Sequence, residues 1–157
     1  MLTTAYSFAQ VTYTSTSSVN TDWSNAGNWT GGDGSSAPGA SDTAIINSSI
    51  GVDASTTVSK LVVNAGHTLN VNNPLTVSNS SGETSVSGTV VVINDFIISD
   101  GNFNVASGGL ITVASGRDFI FSSSTGDTFT NNGTVTISSN ATSYGALLFP
   151  SGTISGS

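Results

Sequence analysis

Two aspartates, Asp95 and Asp118, each open an Asp-Phe-Ile stretch in a chain otherwise poor in reactive side chains. Carboxylates held about 5 Å apart are the arrangement a retaining glycosidase uses. They are also a start on a cation site, because Ca²⁺ takes carboxylate oxygens. Two acids complete neither chemistry. A site of pectate-lyase type needs several acids around Ca²⁺ and a basic residue to abstract a proton, and catalysis in general needs several convergent groups. The pair therefore reads as a corner where Asp caps a turn, with Arg117, stacked near Asn94, offsetting the repulsion. The expectation is no enzyme, no catalytic residue and no resident cofactor. Asp95 and Asp118 stand as the candidates for a weakly held Ca²⁺.

The other chemically capable residues are scattered. His67 is the single histidine. Zinc wants three or four ligands, and no partner lies at a suitable spacing, so His67 reads as an exposed residue beside a turn. There is no Gly-x-Ser-x-Gly elbow and no phosphate loop. Gly-Gly-Asp-Gly at 31–34 and Gly-Arg-Asp-Phe at 116–119 are turn chemistry, and Asp33, Asp100 and Asp127 lie beside glycine in expected turns. Asn72 and Asn94 fall at equivalent corners, where an amide ladder would be structural. Sequons at Asn79 and Asn140 are expected by chance in a chain this rich in Asn, Ser and Thr. Tyr13, Trp23, Trp29 and Tyr144 could form an aromatic platform for sugar rings. The tryptophans have a competing use in packing, since large aromatics are mostly buried at least in part.

Composition narrows the partners. Of 157 residues only 7% are charged, and the net charge is -7. Two cations, Lys60 and Arg117, cannot form a phosphate-binding patch, so nucleic acid is not an expected partner. The same deficit argues against anionic membrane surfaces. No apolar run approaches the roughly 20 residues of a spanning helix, so membrane insertion is not expected. Cysteine is absent, which removes disulfides and thiolate metal sites. Ser, Thr and Asn replace Lys and Glu as the solvated surface, a style associated with extracellular bacterial proteins.

The elements that would position these residues are strands. No window spaces its apolar residues as a helix does, whereas short alternating runs recur between Gly, Asn and Ser clusters. Four begin with glycine: GHTLNV at Gly66, GTVVVI at Gly88, GGLITV at Gly108 and GTVTIS at Gly133. Each is followed by a second short strand and a weaker third. A less regular earlier round holds TAIIN, IGV and SKLVV. A three-strand unit repeating every twenty-odd residues signals a solenoid, because one unit cannot bury its apolar face alone. The expected fold is all-β, a right-handed parallel β-helix of about five three-strand rounds forming three sheets. An antiparallel sandwich also shows short alternating strands, but it predicts no repeat of the whole unit.

Alternation assigns the inward ladders. On the first sheet they are Leu69, Val91, Ile111 and Val135 beside Val71, Ile93, Val113 and Ile137. On the second they are Leu75, Phe96, Phe119 and Leu147 beside Val77, Ile98, Phe121 and Phe149. The third holds Val63, Val86, Val105, Phe129 and Ile154.

The ends differ from the middle. Met1–Ala9 reads as the back of a secretory signal, with small Ser7 and Ala9 at the positions a signal peptidase reads, and Gln10 as the first mature residue. Residues 10–42 do not follow the repeat. They read as a cap in which Trp23 and Trp29 cover the first rung, since end rungs need covering. Residues 43–157 form the rounds. The chain stops at SGTISGS inside a third strand, so the natural protein is expected to continue and this piece to associate end to end.

Trp23, Asn28, Trp29, Pro38 and Asp42, the last opening Asp-Thr-Ala-Ile-Ile, form a spaced motif. It resembles the start of β-helical surface proteins from Bacteroidetes. Those are similar to the adhesin-like proteins exported by the type IX system and to autotransporter-associated β-strand repeats. The resemblance implies a secreted or cell-surface location, no catalytic residues, and surface glycans or other cell-surface proteins as partners. The expected function is a non-enzymatic structural or adhesion module. The alternative is a carbohydrate-active β-helix that binds or cleaves polysaccharide. An ice-binding solenoid needs regular Thr-x-Thr rows, of which TVTIS is an isolated instance.

Overall fold

Runs of Val, Ile, Phe and Thr alternating with Ser and Asn form strands because branched and aromatic side chains pack well on a pleated surface. The computed structural model describes residues 10–16, 21–122, 126–138, 146–148 and 153–156. Within them β1 (Thr12–Ser15), a 3-10 turn (Ala26–Asn28) and β2 (Trp29–Gly31) precede the repeats. The first round is β3 (Thr43–Ile46), β4 (Ile50–Gly51) and β5 (Thr56–Val58). Next come β6 (Lys60–Val63), β7 (Thr68–Val71) and β8 (Leu75–Val86), then β9 (Thr89–Val92) and β10 (Phe96–Val105). They are followed by β11 (Leu110–Val113), β12 (Asp118–Phe121), β13 (Thr128–Asn131) and β14 (Thr134–Ile137). The last are β15 (Ala146–Leu148) and β16 (Thr153–Gly156).

The rounds stack in parallel. One face is the five-stranded sheet β4-β7-β9-β11-β14, so the coil climbs about 4 turns. A second face stacks β5, the start of β8, the start of β10, β12 and β15. A third stacks β3, β6, the end of β8, the end of β10, β13 and β16. The chain is therefore a parallel β-solenoid.

Three expectations on sheets and register are corrected. The second and third faces are not separate sheets. β8 and β10 run through the corner without breaking, so the two faces merge into one 11-stranded sheet. In β10 the register slips at Asp100, and buried Gly101 at φ 85 absorbs the bend, as a bulge does. The early round is also divided differently: SKLVV opens the next round, and β5 supplies the strand between.

The second correction concerns GTVVVI. Leu69 pairs with Val90, not Val91, and Val71 pairs with Val92, not Ile93. Val90 and Val92 are fully buried, while Ile93 is 46% exposed. Val90, Val91, Val92 and Ile93 are all apolar, so alternation cannot choose a face. The corner chooses instead. A Cβ on Gly88, Gly109 or Gly133 would collide with the carbonyl oxygen of Asn64, Val86 or Gly109, respectively. These three glycines are the equivalent corner residues, whereas Gly66 and Gly108 sit one residue earlier in wider turns.

The third correction concerns Phe129, which pairs with Phe103; Val105 pairs with Asn131. Phenylalanines consequently stack on one another through the interior. Phe96 lies on Phe119 with ring centroids 5.1 Å apart, and Phe103 lies on Phe129 at 5.6 Å. The ladders Leu75–Phe96–Phe119–Leu147 and Val77–Ile98–Phe121 stand as expected. Phe149 lies outside the described residues. At the last strand of the five-stranded sheet, Ile137 is 39% exposed although its neighbours in the ladder are buried.

Candidate functional site

Among the described residues, the segment before the rounds carries a groove lined by polar groups. β1 lies parallel on β3, with Tyr13 opposite Ala44. The chain then returns antiparallel as β2, with Tyr13 opposite Gly31. Gly31 (φ 86) and Gly32 (φ 60) turn it away again. A Cβ on Gly32 would overlap the Tyr13 ring, so the glycine backbone covers the ring and only the phenol oxygen reaches the polar loop. There it donates to Asp33 Oδ1 at 3.3 Å and shares a hydrogen bond with Ser36 Oγ at 2.9 Å.

Asp33 locks its own turn, as an Asp ahead of serines does. Its Oδ1 accepts the main-chain N–H groups of Ser35 and Ser36, both at 3.0 Å, and the Ser36 hydroxyl at 2.8 Å. The Ser35 N–H first, then the Ser36 hydroxyl, bring the Asp33 pKa down to about 2. Asp42 closes the other side. Its Oδ2 accepts the Gly39 N–H at 2.9 Å, and its carbonyl accepts the N–H groups of Ser59 and Lys60. Between these turns lies an open groove of about 480 Å³, lined by Val11, Tyr13, Asp33, Ser36, Ala40, Ser41 and Asp42. On the opposite side of the cap, Asp53 accepts from the Ser24 N–H and hydroxyl. Burial works against its ionisation, but the Ser24 hydrogen bonds outweigh that and lower its pKa.

The tryptophans are placed differently from a sugar platform. Trp23 is 2% exposed and Trp29 6%, packed edge to face with centroids 4.7 Å apart. Trp29 Nε1 donates to the Trp23 carbonyl at 2.8 Å, and Trp23 Nε1 to the Pro38 carbonyl at 3.4 Å. Both indoles belong to the core and present no ring face to a ligand, so they are withdrawn as carbohydrate contacts. Tyr13, 3% exposed, is withdrawn as a stacking surface for the same reason. Tyr144 lies outside the described residues, as does the expected signal segment 1–9.

Asp95 and Asp118 do stand in adjacent rounds, because Phe96 pairs with Phe119. Their column continues to Pro74 below and Ala146 above, so no further acid joins it. Asp95 Oδ1 accepts the Asp118 N–H at 3.4 Å, which is a cap between rounds. Among the described residues, no group of three or more His, Cys, Asp or Glu side chains could hold a metal ion. His67 is half-buried, not exposed. It sits at the glycine corner, its carbonyl accepting the Thr89 N–H at 2.9 Å. Asn94 does reach the round of Asn72, but its Nδ2 donates to the main-chain carbonyl of Asn72 at 3.4 Å. That is a corner tie and not an amide ladder.

The sequence hinted at half of the groove. Asp33 before two serines carries a turn signature. Nothing in the sequence joins Tyr13 to that turn, because the meeting depends on β2 folding back on β1. No helix among the described residues is long and apolar enough to cross a membrane. Comparison with known proteins found no matching family model, no matching curated protein and no matching solved structure.

Proposed function

We propose that this chain is a non-enzymatic structural module of a secreted or cell-surface bacterial protein, serving adhesion by presenting a long, regular surface. The observation that carries the reading is the division of labour in each round. The buried side chains of the rounds are nearly all apolar, and many outward positions carry short hydroxyl and amide groups, beside apolar ones such as Val91, Ile97 and Ile120. Thr68 pairs with Thr89 on one face, and Ser85, Asn104 and Thr130 follow one another on another. Such rows offer spacing and hydrogen bonds to a glycan or protein surface without the convergent groups that catalysis needs. Asp95 and Asp118 serve the corner in this reading.

The test places the whole chain on arrays of surface glycans and cell-surface proteins, with a polysaccharide-cleavage screen in parallel. Retention of a surface ligand with no depolymerised product is the expected result. Sustained cleavage of any polysaccharide overturns it in favour of a carbohydrate-active β-helix. The mass of exported protein checks the location: it should begin at Gln10, and a retained Met1 would sink the signal reading.

A further inference from the structure

We propose that the cap groove between β1 and residues 32–42 is a binding site for a neutral, hydroxyl-rich ligand of one or two pyranose rings. The inference rests on the reading of the chain as a surface-contact module and names where one such contact is made.

The groove has the size and make-up of a small-ligand site. Its volume of about 480 Å³ falls in the range that holds a small organic molecule. Val11 and Ala40 give its lining an apolar part, which suits the C–H face of a sugar ring. The rest of the lining carries two carboxylates and three hydroxyl groups. The turn hydrogen bonds of Asp33 fall on Oδ1, and that of Asp42 falls on Oδ2. A carboxylate has about four lone-pair sites on two oxygens, so each acid keeps acceptor capacity for ligand O–H groups. Hydrogen bonds to ionised acceptors are the stronger kind, and Asp33 stays ionised far below neutral pH.

Preorganisation adds to this. Asp33 is fixed by its turn and by Tyr13, and Asp42 by Gly39, so little side-chain freedom remains to be lost on binding. The alternatives fit less well. A net charge of -7 and two fixed carboxylates repel an anion. A bare cation would find only two acids. An ammonium group only donates, whereas the Ser41 hydroxyl can also donate and is matched by a ligand that both donates and accepts.

The intact 157-residue chain is titrated with cellobiose, maltose and xylobiose, and separately with CaCl₂ and with free lysine, while backbone amide resonances are followed. At least one disaccharide should shift the amides of Val11, Ala40 and Ser41. Asp33→Asn and Asp42→Asn each keep an oxygen to hold the turn and lose the charge. Each should weaken binding about tenfold, the size expected for one hydrogen bond to a charged group. Ala40→Trp should abolish binding by filling the groove, with the circular dichroism unchanged. Disaccharides that leave these amides unmoved overturn the proposal, and so do shifts produced by CaCl₂ or lysine alone. Glycan binding that survives all three variants also overturns the groove, yet leaves the surface-contact reading standing.

Discussion

The cap and the coil solve the same problem, burying apolar side chains between strands, by opposite means. In the coil, position comes from repetition. Phe96 rests on Phe119 and Phe103 on Phe129, their rings nearly parallel at 11° and 6°, and no ring needs a polar tether. In the cap nothing repeats, so the large side chains are tied individually. Trp29 is bonded to the Trp23 carbonyl and Trp23 to the Pro38 carbonyl. Buried Ser15 donates to the Ser48 carbonyl at 2.9 Å and accepts the N–H groups of Asn47 and Ser48. Stacking copies is cheap to specify, because one register sets every rung. Ending a stack requires a special surface on which each group has its own partner.

The sharpest way to break this comparison is at Trp23. Trp23→Ala should cost about 5 kcal/mol, the upper range for a large buried aromatic, because it leaves a cavity and strands the Pro38 carbonyl. Denaturant titration gives the cost. Hydrogen exchange should show protection falling first in β3 and β4, since solenoid rounds couple mainly to their neighbours. Phe119→Ala should cost about 4 kcal/mol, with protection falling in β10, β12 and β13 while the cap stays closed. A loss below about 1 kcal/mol would mean that the interior register is wrong. Identical exchange patterns in the two variants would erase the distinction between cap and coil.

A smaller effect tests register within one strand. Val92→Ala should cost about 2 kcal/mol as a buried truncation, and Ile93→Ala less than about 0.5 kcal/mol as a surface change. The reverse order would return Ile93 to the interior. The smallest effect is acid sensitivity in the cap. Hydrogen bonds from Ser35 and Ser36 hold the Asp33 pKa at about 2, below its ordinary value of 3.8. A lowered pKa means stability that is present in full above 3.8 and lost as pH falls through about 2. Thermal midpoints measured from pH 5 down to pH 2 should therefore show a modest decline in the lower part of that range. Asp33→Asn should flatten it. An unchanged profile would mean that the 33–36 turn contributes nothing to folding.

How much of this could be read from the chain depends on how sharply polar and apolar residues alternate. Asp-Phe-Ile-Phe and Pro-Leu-Thr-Val allow one register each, and the ladders through Phe96, Phe119, Ile98 and Phe121 follow from them. Thr-Val-Val-Val-Ile allows two, and the deciding fact was steric: glycine at 88, 109 and 133 lies against a carbonyl of the round below. Phe103 and Val105 both face inward, so a lone Phe129 could join either ladder. The merging of two faces was hidden as well, because the polar residues around Gly101 look like a turn while the backbone stays in the sheet. The tryptophan cap was legible from its break with the repeat. The groove was not, because it needs an antiparallel return that no local pattern announces.

The unbroken passage of β8 and β10 around a corner has a mechanical consequence. A chain pulled from one end of a solenoid would ordinarily peel one face at a time, breaking a short row of hydrogen bonds and then pausing at a corner. Where one strand serves two faces, β8 and β10 pair with each other both before the corner, from Leu75 with Phe96 to Ser78 with Asp100, and after it, from Glu83 with Asn102 to Val86 with Val105. Tension on either strand therefore passes directly from the pairs of one face to those of the other. The middle of this molecule would give way in fewer, larger steps than its ends.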